Sequence, residues 1–179
     1  MMREPFTNAS GMDGHEDDGR PRQIMAEYGS MLRRVASGYV ATRADREELV
    51  QDVVISLSHA LRSSGDESLD RTLVLRVAHN RGVSFSMRKS RVKQRPESKA
   101  PVGSQSDRAI PIVVEQERER LSAAIRRLPE AQRQAVMLHL EGLTQSEIAS
   151  IQGTTDTTVD LRLTRAHDSL RAILGGDLR

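Results

Sequence analysis

The chain of 179 residues contains no cysteine and no tryptophan, and its aromatic side chains are Phe6, Tyr28, Tyr39 and Phe85. Without cysteine there is neither a disulfide framework nor a thiolate metal site. With so few aromatic residues and abundant Leu, Ala, Arg, Glu, Gln and Met, the composition disfavours a β-sandwich and favours small helical bundles. No apolar run reaches the ~18 residues of a membrane-spanning helix. Residues 1–20 lack the apolar stretch of a secretory signal. A cytoplasmic protein with no membrane segment is therefore expected. The sequence also lacks a glycine-rich phosphate loop and a G-x-S-x-G nucleophile motif. His15, His59, His79, His139 and His167 form no i, i+4 pair, so no metal site is expected. The adjacent carboxylates Asp17 with Asp18, and Glu47 with Glu48, would diverge on a helix rather than converge on a substrate. No cofactor and no enzymatic activity are expected.

The charge is nearly balanced, with 27 basic and 25 acidic residues and a net charge of +2. The balance hides a segregation. Residues 1–20 are acidic through Glu4, Asp13, Glu16, Asp17 and Asp18, whereas residues 86–99 are basic through Arg88, Lys89, Arg91, Lys93, Arg95 and Lys99. Local charge decides whether a polyanion is attracted. The basic run reads either as a track along a nucleic-acid backbone or as a solvated linker.

Periodicity divides the chain. Residues 1–21, rich in Gly, Asp, Asn and Ser, read as a disordered tail. Ile24, Tyr28, Met31, Leu32, Val35 and Tyr39 have helical spacing. Asp45 and Glu48 form a capping-box pattern that predicts a helix starting near Arg46. Its apolar face is Leu49, Val50, Val53, Val54, Leu57, Ala60 and Leu61, and the break comes at residues 63–66. A third helix is predicted from about Arg71 to Arg88, with Leu73, Val74, Val77 and Ala78 inward. Residues 22–92 thus make one helical domain. Residues 93–111 hold three prolines and no periodicity, and read as a flexible linker.

A second helical domain follows over residues 112–175. Leu121, Ala124, Ile125 and Leu128 form its first stripe. Pro129 suits the first position of the next helix, which uses Val136, Met137 and Leu140 and ends at Gly142. Thr144 and Glu147 form a second capping box, opening a short helix with Ile148, Ala149 and Ile151 that Gly153 closes. Thr155 can cap a last helix carrying Val159, Leu163, Ala166 and Leu170.

Residues 143–159, LTQSEIASIQGTTDTTV, combine a capped short helix, a glycine turn and a longer amphipathic helix. This is either helix-turn-helix grammar or a plain helical hairpin inside a bundle. In a helix-turn-helix the second helix enters the major groove with its N-terminal residues toward the bases. Thr155, Asp156, Thr157, Thr158, Asp160 and Leu161 occupy that end, with Arg162 and Arg165 a turn further and suited to phosphate.

Taken in order, residues 44–53 (ADREELVQDV), 76–81 (RVAHNR), 125–133 (IRRLPEAQR) and 141–149 (EGLTQSEIA), followed by Thr158, Val159, Arg162, Leu163, Arg165 and Ala166, resemble the extracytoplasmic-function sigma factors, over about residues 22–174. The resemblance implies an all-α fold of two small helical domains, sigma domain 2 and sigma domain 4. It implies a function in directing core RNA polymerase to promoters. Core polymerase (β′ and β subunits) and promoter DNA are then the partners, with an anti-sigma protein as a further one. Glu48, Gln51 and Asp52 match positions that dock on polymerase. Ser64 and Asp66, in the capture loop over residues 63–70, match minus-ten positions, as do Asn80, Arg81, Arg88, Lys89 and Arg91. The last helix matches the reader of the minus-thirty-five element.

The chain also departs from the family. Leu73 and Leu75 stand where the family has aromatic residues, as do Ser64 and Asp70 around the capture loop. Asp160 and Leu161 replace basic and small polar residues in the reading helix; a carboxylate there can accept from cytosine N4. Two other readings stay open at this level: a polymerase-independent helix-turn-helix regulator, and a sigma-like decoy for an anti-sigma protein.

Overall fold

Helix is the only regular structure among the described residues of the computed structural model, which are 19–64, 69–93 and 112–176. The first block contains α1 (Arg20–Ser37), α2 (Arg43–Ser64) and α3 (Arg71–Lys93). The second contains α4 (Ile112–Arg126), α5 (Glu130–Leu140), α6 (Gln145–Gln152) and α7 (Asp156–Gly176). No helix among the described residues is long and apolar enough to cross a membrane.

Several helices start away from the expected residue. α1 begins at Arg20 with Pro21 in its first turn, so residues 20 and 21 belong to the helix rather than to the tail. The rest of the tail expectation, residues 1–18, lies outside the described residues. α2 begins at Arg43, not near Arg46. The Thr42 hydroxyl accepts the Asp45 amide proton at 3.1 Å, and the Asp45 carboxylate turns instead to Lys89 at 2.8 Å. Pro129 caps α5 from outside, in an extended conformation, instead of opening it. The linker expectation falls on residues 94–111, outside the described residues, except for Lys93, which closes α3.

In the first block Ile24, Leu32 and Val35 of α1 meet Leu49, Val50, Val53 and Leu57 of α2, with Val74, Leu75 and Phe85 of α3; all are at most 2% exposed. Ala60, expected inward, is exposed. Leu75 lies in the core and Leu73 is half-buried, so Leu75 serves packing rather than an open groove. In the second block α7 lies across α4, α5 and α6, burying Val159, Leu163, Ala166 and Leu170. Leu121 and Leu140, expected inward, are exposed. Ala135 and Leu138 take the place of Leu140 against the core.

His79 is the unusual core residue. It is fully buried, its Nδ1 lies 2.7 Å from the Tyr39 hydroxyl, and its Nε2 is buried without a partner. Burial pushes its pKa down from 6.5 to about 3. The unfolded chain therefore takes up a proton at pH 6.5 that the folded chain refuses until about pH 3. Stability holds its full value above pH 6.5 and falls by about 1.4 kcal/mol per pH unit between those limits. Urea unfolding measured from pH 7.5 to 4.5 is expected to show this slope, and His79→Gln to remove it.

The two blocks dock directly. Arg133, Met137 and Glu141, at i, i+4 and i+8, form a row along α5 and its C-terminal end that faces the first block. The Arg133 guanidinium lies 5.5 Å from the Tyr39 ring centre. Met137 seats over Gly38, where an added Cβ would come within 2.7 Å of its Sδ, so a larger residue there would push the Met137 side chain aside. Glu141 is 7% exposed and receives a two-pronged hydrogen bond from Arg34, at 2.9 and 2.8 Å. Arg71 donates to the Glu141 carbonyl and lies 3.5 Å from its carboxylate. A second cluster joins α4 to the first block. Arg46 reaches Glu119 at 2.6 Å, Arg126 reaches the same carboxylate at 2.9 Å, and Arg126 also donates to the Ser37 carbonyl at 2.7 Å. Burial opposes ionisation of Glu119, but the two guanidinium groups outweigh it and hold the carboxyl below its ordinary pKa.

Candidate nucleic-acid interface

The helix-turn-helix forms as its punctuation dictates. The Thr144 hydroxyl accepts the Glu147 amide proton at 3.3 Å, and Glu147 accepts the Thr144 amide proton at 2.8 Å, completing the capping box. The Thr144 amide first, and second its hydroxyl, which donates to Glu147 Oε2 at 2.8 Å, hold the Glu147 carboxyl below its usual pKa. Gly153 ends α6 with φ of 61°, in the left-handed region where a side chain is strained. Thr154 then bonds back to the Ala149 carbonyl at 3.0 Å. Ala149 and Val159 are buried between α6 and α7, which fixes the two helices against each other.

The leading end of α7 is open. Thr155, Asp156, Thr157, Asp160 and Leu161 are exposed, and Thr158 is half-buried. The Thr155 hydroxyl accepts the Thr158 amide proton at 3.3 Å, so it serves as a cap as well as standing at the surface. Asp160 accepts from Gln145 Nε2 at 3.2 Å, which ties it to the supporting helix. Arg162 is half-buried and donates to Gln152 Oε1 at 2.7 Å, and Gln152 in turn donates to the Ala131 carbonyl at 3.1 Å. Arg162 is thus partly engaged within the scaffold, whereas Arg165 is exposed. The partial positive charge of the helix N-terminus favours anionic groups, and the short threonine side chains leave room for a base edge.

In the first block Glu48 and Gln51 are exposed and Asp52 half-buried on one face of α2. One turn further stands Ile55, 56% exposed, which the sequence reading did not single out. Its signal was available: it falls outside the inward apolar stripe of α2. On α3, Asn80, Arg81, Arg88 and Arg91 are exposed and Lys89 is half-buried. The side chain of Ser64 and the whole of Asp66 lie outside the described residues.

α2 and α3 are antiparallel neighbours whose charged faces meet. Arg88 reaches Glu48 at 3.5 Å, Lys89 reaches Asp45 and Glu48 at 2.8 and 3.2 Å, and Arg81 approaches Asp52 at 3.9 Å. The carboxylates expected to meet polymerase and the cations expected to meet DNA are therefore paired with one another. Phe85 supports the cations from below, with the Arg88 guanidinium 4.8 Å and the Lys89 ammonium 5.3 Å from its ring centre. The Arg88–Glu48 pair is largely exposed and the pairs of Lys89 and Arg81 are partly so; at an exposed site such a pair is worth about 0–1 kcal/mol, so a stronger partner can replace it.

Comparison with known proteins places these features. Residues 118–170, which hold the helix-turn-helix, match the family described as Sigma-70, region 4. The chain is 30% identical over 163 residues to the ECF RNA polymerase sigma factor RpoE of Cereibacter sphaeroides, covering 88% of this chain and 87% of that protein. Its fold is similar to that of CnrH in complex with the cytosolic domain of CnrY, with a TM-score of 0.63, 22% identity and 88% of each chain covered. It is equally similar to RpoE in complex with the anti-sigma factor NepR from Bartonella quintana, with a TM-score of 0.63, 19% identity, and 86% and 96% of the two chains covered.

Proposed function

Because this chain belongs to the ECF sigma factors of RNA polymerase, we propose a division of labour between its two blocks, in which the first binds polymerase and the minus-ten element and the second reads the minus-thirty-five element. The chain is an RNA polymerase sigma factor. The observation that carries the finer reading is the likeness to an ECF sigma factor across both blocks. A polymerase-independent regulator needs only the helix-turn-helix and has no use for the first block.

In this reading Glu48, Gln51 and Asp52 form the polymerase-docking face, its acidic character suited to a basic partner helix, and Ile55 adds an apolar contact beside them. Asn80, Arg81, Arg88, Lys89 and Arg91, with Ser64 and Asp66 of the capture loop, hold the melted minus-ten strand. Holding such a strand takes a pocket for the unpaired base as well as backbone-tracking cations. A basic partner helix on α2 competes with Arg88 and Lys89 for Glu48 and frees those cations for phosphate. In the second block Asp156, Thr157, Asp160 and Leu161 face the major groove, Thr155 and Thr158 shape the helix start, and Arg165 takes a phosphate with Arg162 behind it. An anti-sigma protein, as in the complex of RpoE with the anti-sigma factor NepR from Bartonella quintana, is a further partner.

Asp160 is expected to set sequence choice. Asp160→Ala and Asp160→Lys should change the preferred base at one minus-thirty-five position by about 1–3 kcal/mol, measured by binding to a library of single-base promoter variants. Unchanged affinity and base choice in both variants would remove Asp160 from the interface. The reading as a whole is tested by run-off transcription with core polymerase on genomic fragments. Discrete transcripts that depend on the chain are expected. Binding of an anti-sigma protein without any transcript would instead make the chain a decoy.

A further inference from the structure

The leading end of α7 is limited in the bases it can address. Residues 153–161 contain no lysine or arginine, and their charged side chains are Asp156 and Asp160. Guanine is commonly read by a cation that donates to O6 and N7, and no such group stands on this stretch. The first cation, Arg162, is half-buried and donates to Gln152 Oε1 at 2.7 Å. The Thr155 and Thr158 hydroxyls lie 2.9 Å from one another, and the Leu161 side chain has no polar atom. Asp156, Thr157 and Asp160 are the exposed polar side chains that remain to meet a base edge.

Asp160 is tied to the neighbouring helix. Gln145, the first residue of α6, donates from Nε2 to Asp160 Oδ1 at 3.2 Å. A carboxylate offers acceptors only, so the Gln145 amide must turn its NH2 group toward it. The bond occupies one carboxylate oxygen, narrows the rotamers open to Asp160, and leaves Oδ2 for another donor. It is not what fastens α6 to α7. Ala149 and Val159 are buried between these helices, and the Thr154 amide donates to the Ala149 carbonyl. Nor does it cap α6, since Thr144 and Glu147 do that.

We propose that Gln145 is a positioning residue for base recognition: it aims Asp160 at an exocyclic amino group in the major groove, and the base so selected is cytosine. Cytosine presents the N4 amino donor there, whereas guanine presents the acceptors O6 and N7 and thymine the acceptor O4. Adenine has an N6 donor, but its N7 acceptor stands beside it and repels a carboxylate. Without Gln145 the carboxylate samples more rotamers, fewer of which meet the amino group. The contact then loses selectivity while the helix-turn-helix keeps its fold. This assignment rests on the reading of α7 as the minus-thirty-five helix.

The test is binding of the holoenzyme, core polymerase with the full chain, to single-base variants of a promoter identified by run-off transcription. The parent is expected to prefer cytosine about 5-fold or more at one minus-thirty-five position. Gln145→Ala should cut that preference about 2- to 5-fold. Its thermal midpoint and the salt dependence of binding should match the parent, because the phosphate contacts of an intact helix-turn-helix are kept. Asp160→Asn should move the preference at the same position to adenine, whose N6 and N7 an amide matches with an acceptor and a donor. In an Asp160→Ala background, Gln145→Ala should have no further effect on base choice. A further loss there means that Gln145 touches the DNA itself, and it overturns the positioning role, as does a Gln145→Ala variant with the parent's base choice. A parent without a cytosine preference at any position, or an Asp160→Asn variant that keeps cytosine, overturns the assignment of the base and leaves the sigma reading standing. Holoenzyme that selects no promoter overturns both.

Discussion

Phe85→Ala is expected to cost the first block about 3–5 kcal/mol, the range for truncating a fully buried aromatic residue. Phe85 is 1% exposed and is the largest of the fully buried side chains. It lies in the core late in α3, where Ser84, Met87, Arg88, Ser90 and Arg91 are exposed. A helical block of this size has a total stability of about 4–11 kcal/mol, so the loss takes a large part of it. Urea unfolding followed by far-ultraviolet circular dichroism should show the midpoint collapse. Phe85→Leu, which keeps most of the volume, should cost less than about 1.5 kcal/mol. The leucine variant also separates packing from function, because it removes the ring beneath Arg88 and Lys89 while leaving the fold. Exposed cation–π contacts are worth about 0.5–1 kcal/mol each. The leucine variant should therefore bind a minus-ten single strand a few-fold more weakly while the block stays folded. If the alanine variant unfolds at the parent urea concentration, Phe85 does not anchor this block.

Asp52→Arg should weaken core polymerase binding by about 2–4 kcal/mol, or roughly 30- to 1000-fold. The substitution puts a cation in the middle of the face made by Glu48, Gln51, Asp52 and Ile55, against a partner expected to be basic. Within the free chain little should change. The Asp52–Arg81 separation of 3.9 Å, with both groups substantially exposed, marks a pair of about 0–1 kcal/mol. Thermal unfolding should accordingly stay close to that of the parent. Ile55→Ala provides an apolar control. It removes no charge and fills no core space, so any loss of affinity it causes reports on direct contact. Core binding that survives Asp52→Arg would move the docking surface off this face of α2.

The helix-turn-helix was legible in the sequence because its determinants are local. The Thr144–Glu147 capping box and the Gly153 turn involve partners within a few residues of each other, and the spacing of Val159, Leu163, Ala166 and Leu170 is a period that a helix alone imposes. The all-α architecture and the seven helical segments among the described residues follow from such short-range rules. The errors were also local in kind. Thr42 displaced Asp45 as the cap of α2 because Asp45 has a better partner in Lys89, which lies 44 positions away and is invisible to a four-residue pattern. Leu121 and Leu140 satisfy a helical stripe yet lie outside the core, because which part of a stripe is covered depends on where neighbouring helices stop.

The sequence by itself determined the helical segments and the capping box and glycine turn of the helix-turn-helix, because backbone hydrogen bonding and side-chain spacing act over one or two turns. Only the tertiary structure decided what the residues of those segments touch. It paired the acidic face of α2 with the cations of α3, sealed His79 beneath Tyr39, and brought Arg34 onto Glu141 across 107 positions of chain. Such contacts form only when the helices have packed, and no local pattern encodes which charge will find which partner once water is excluded from between them.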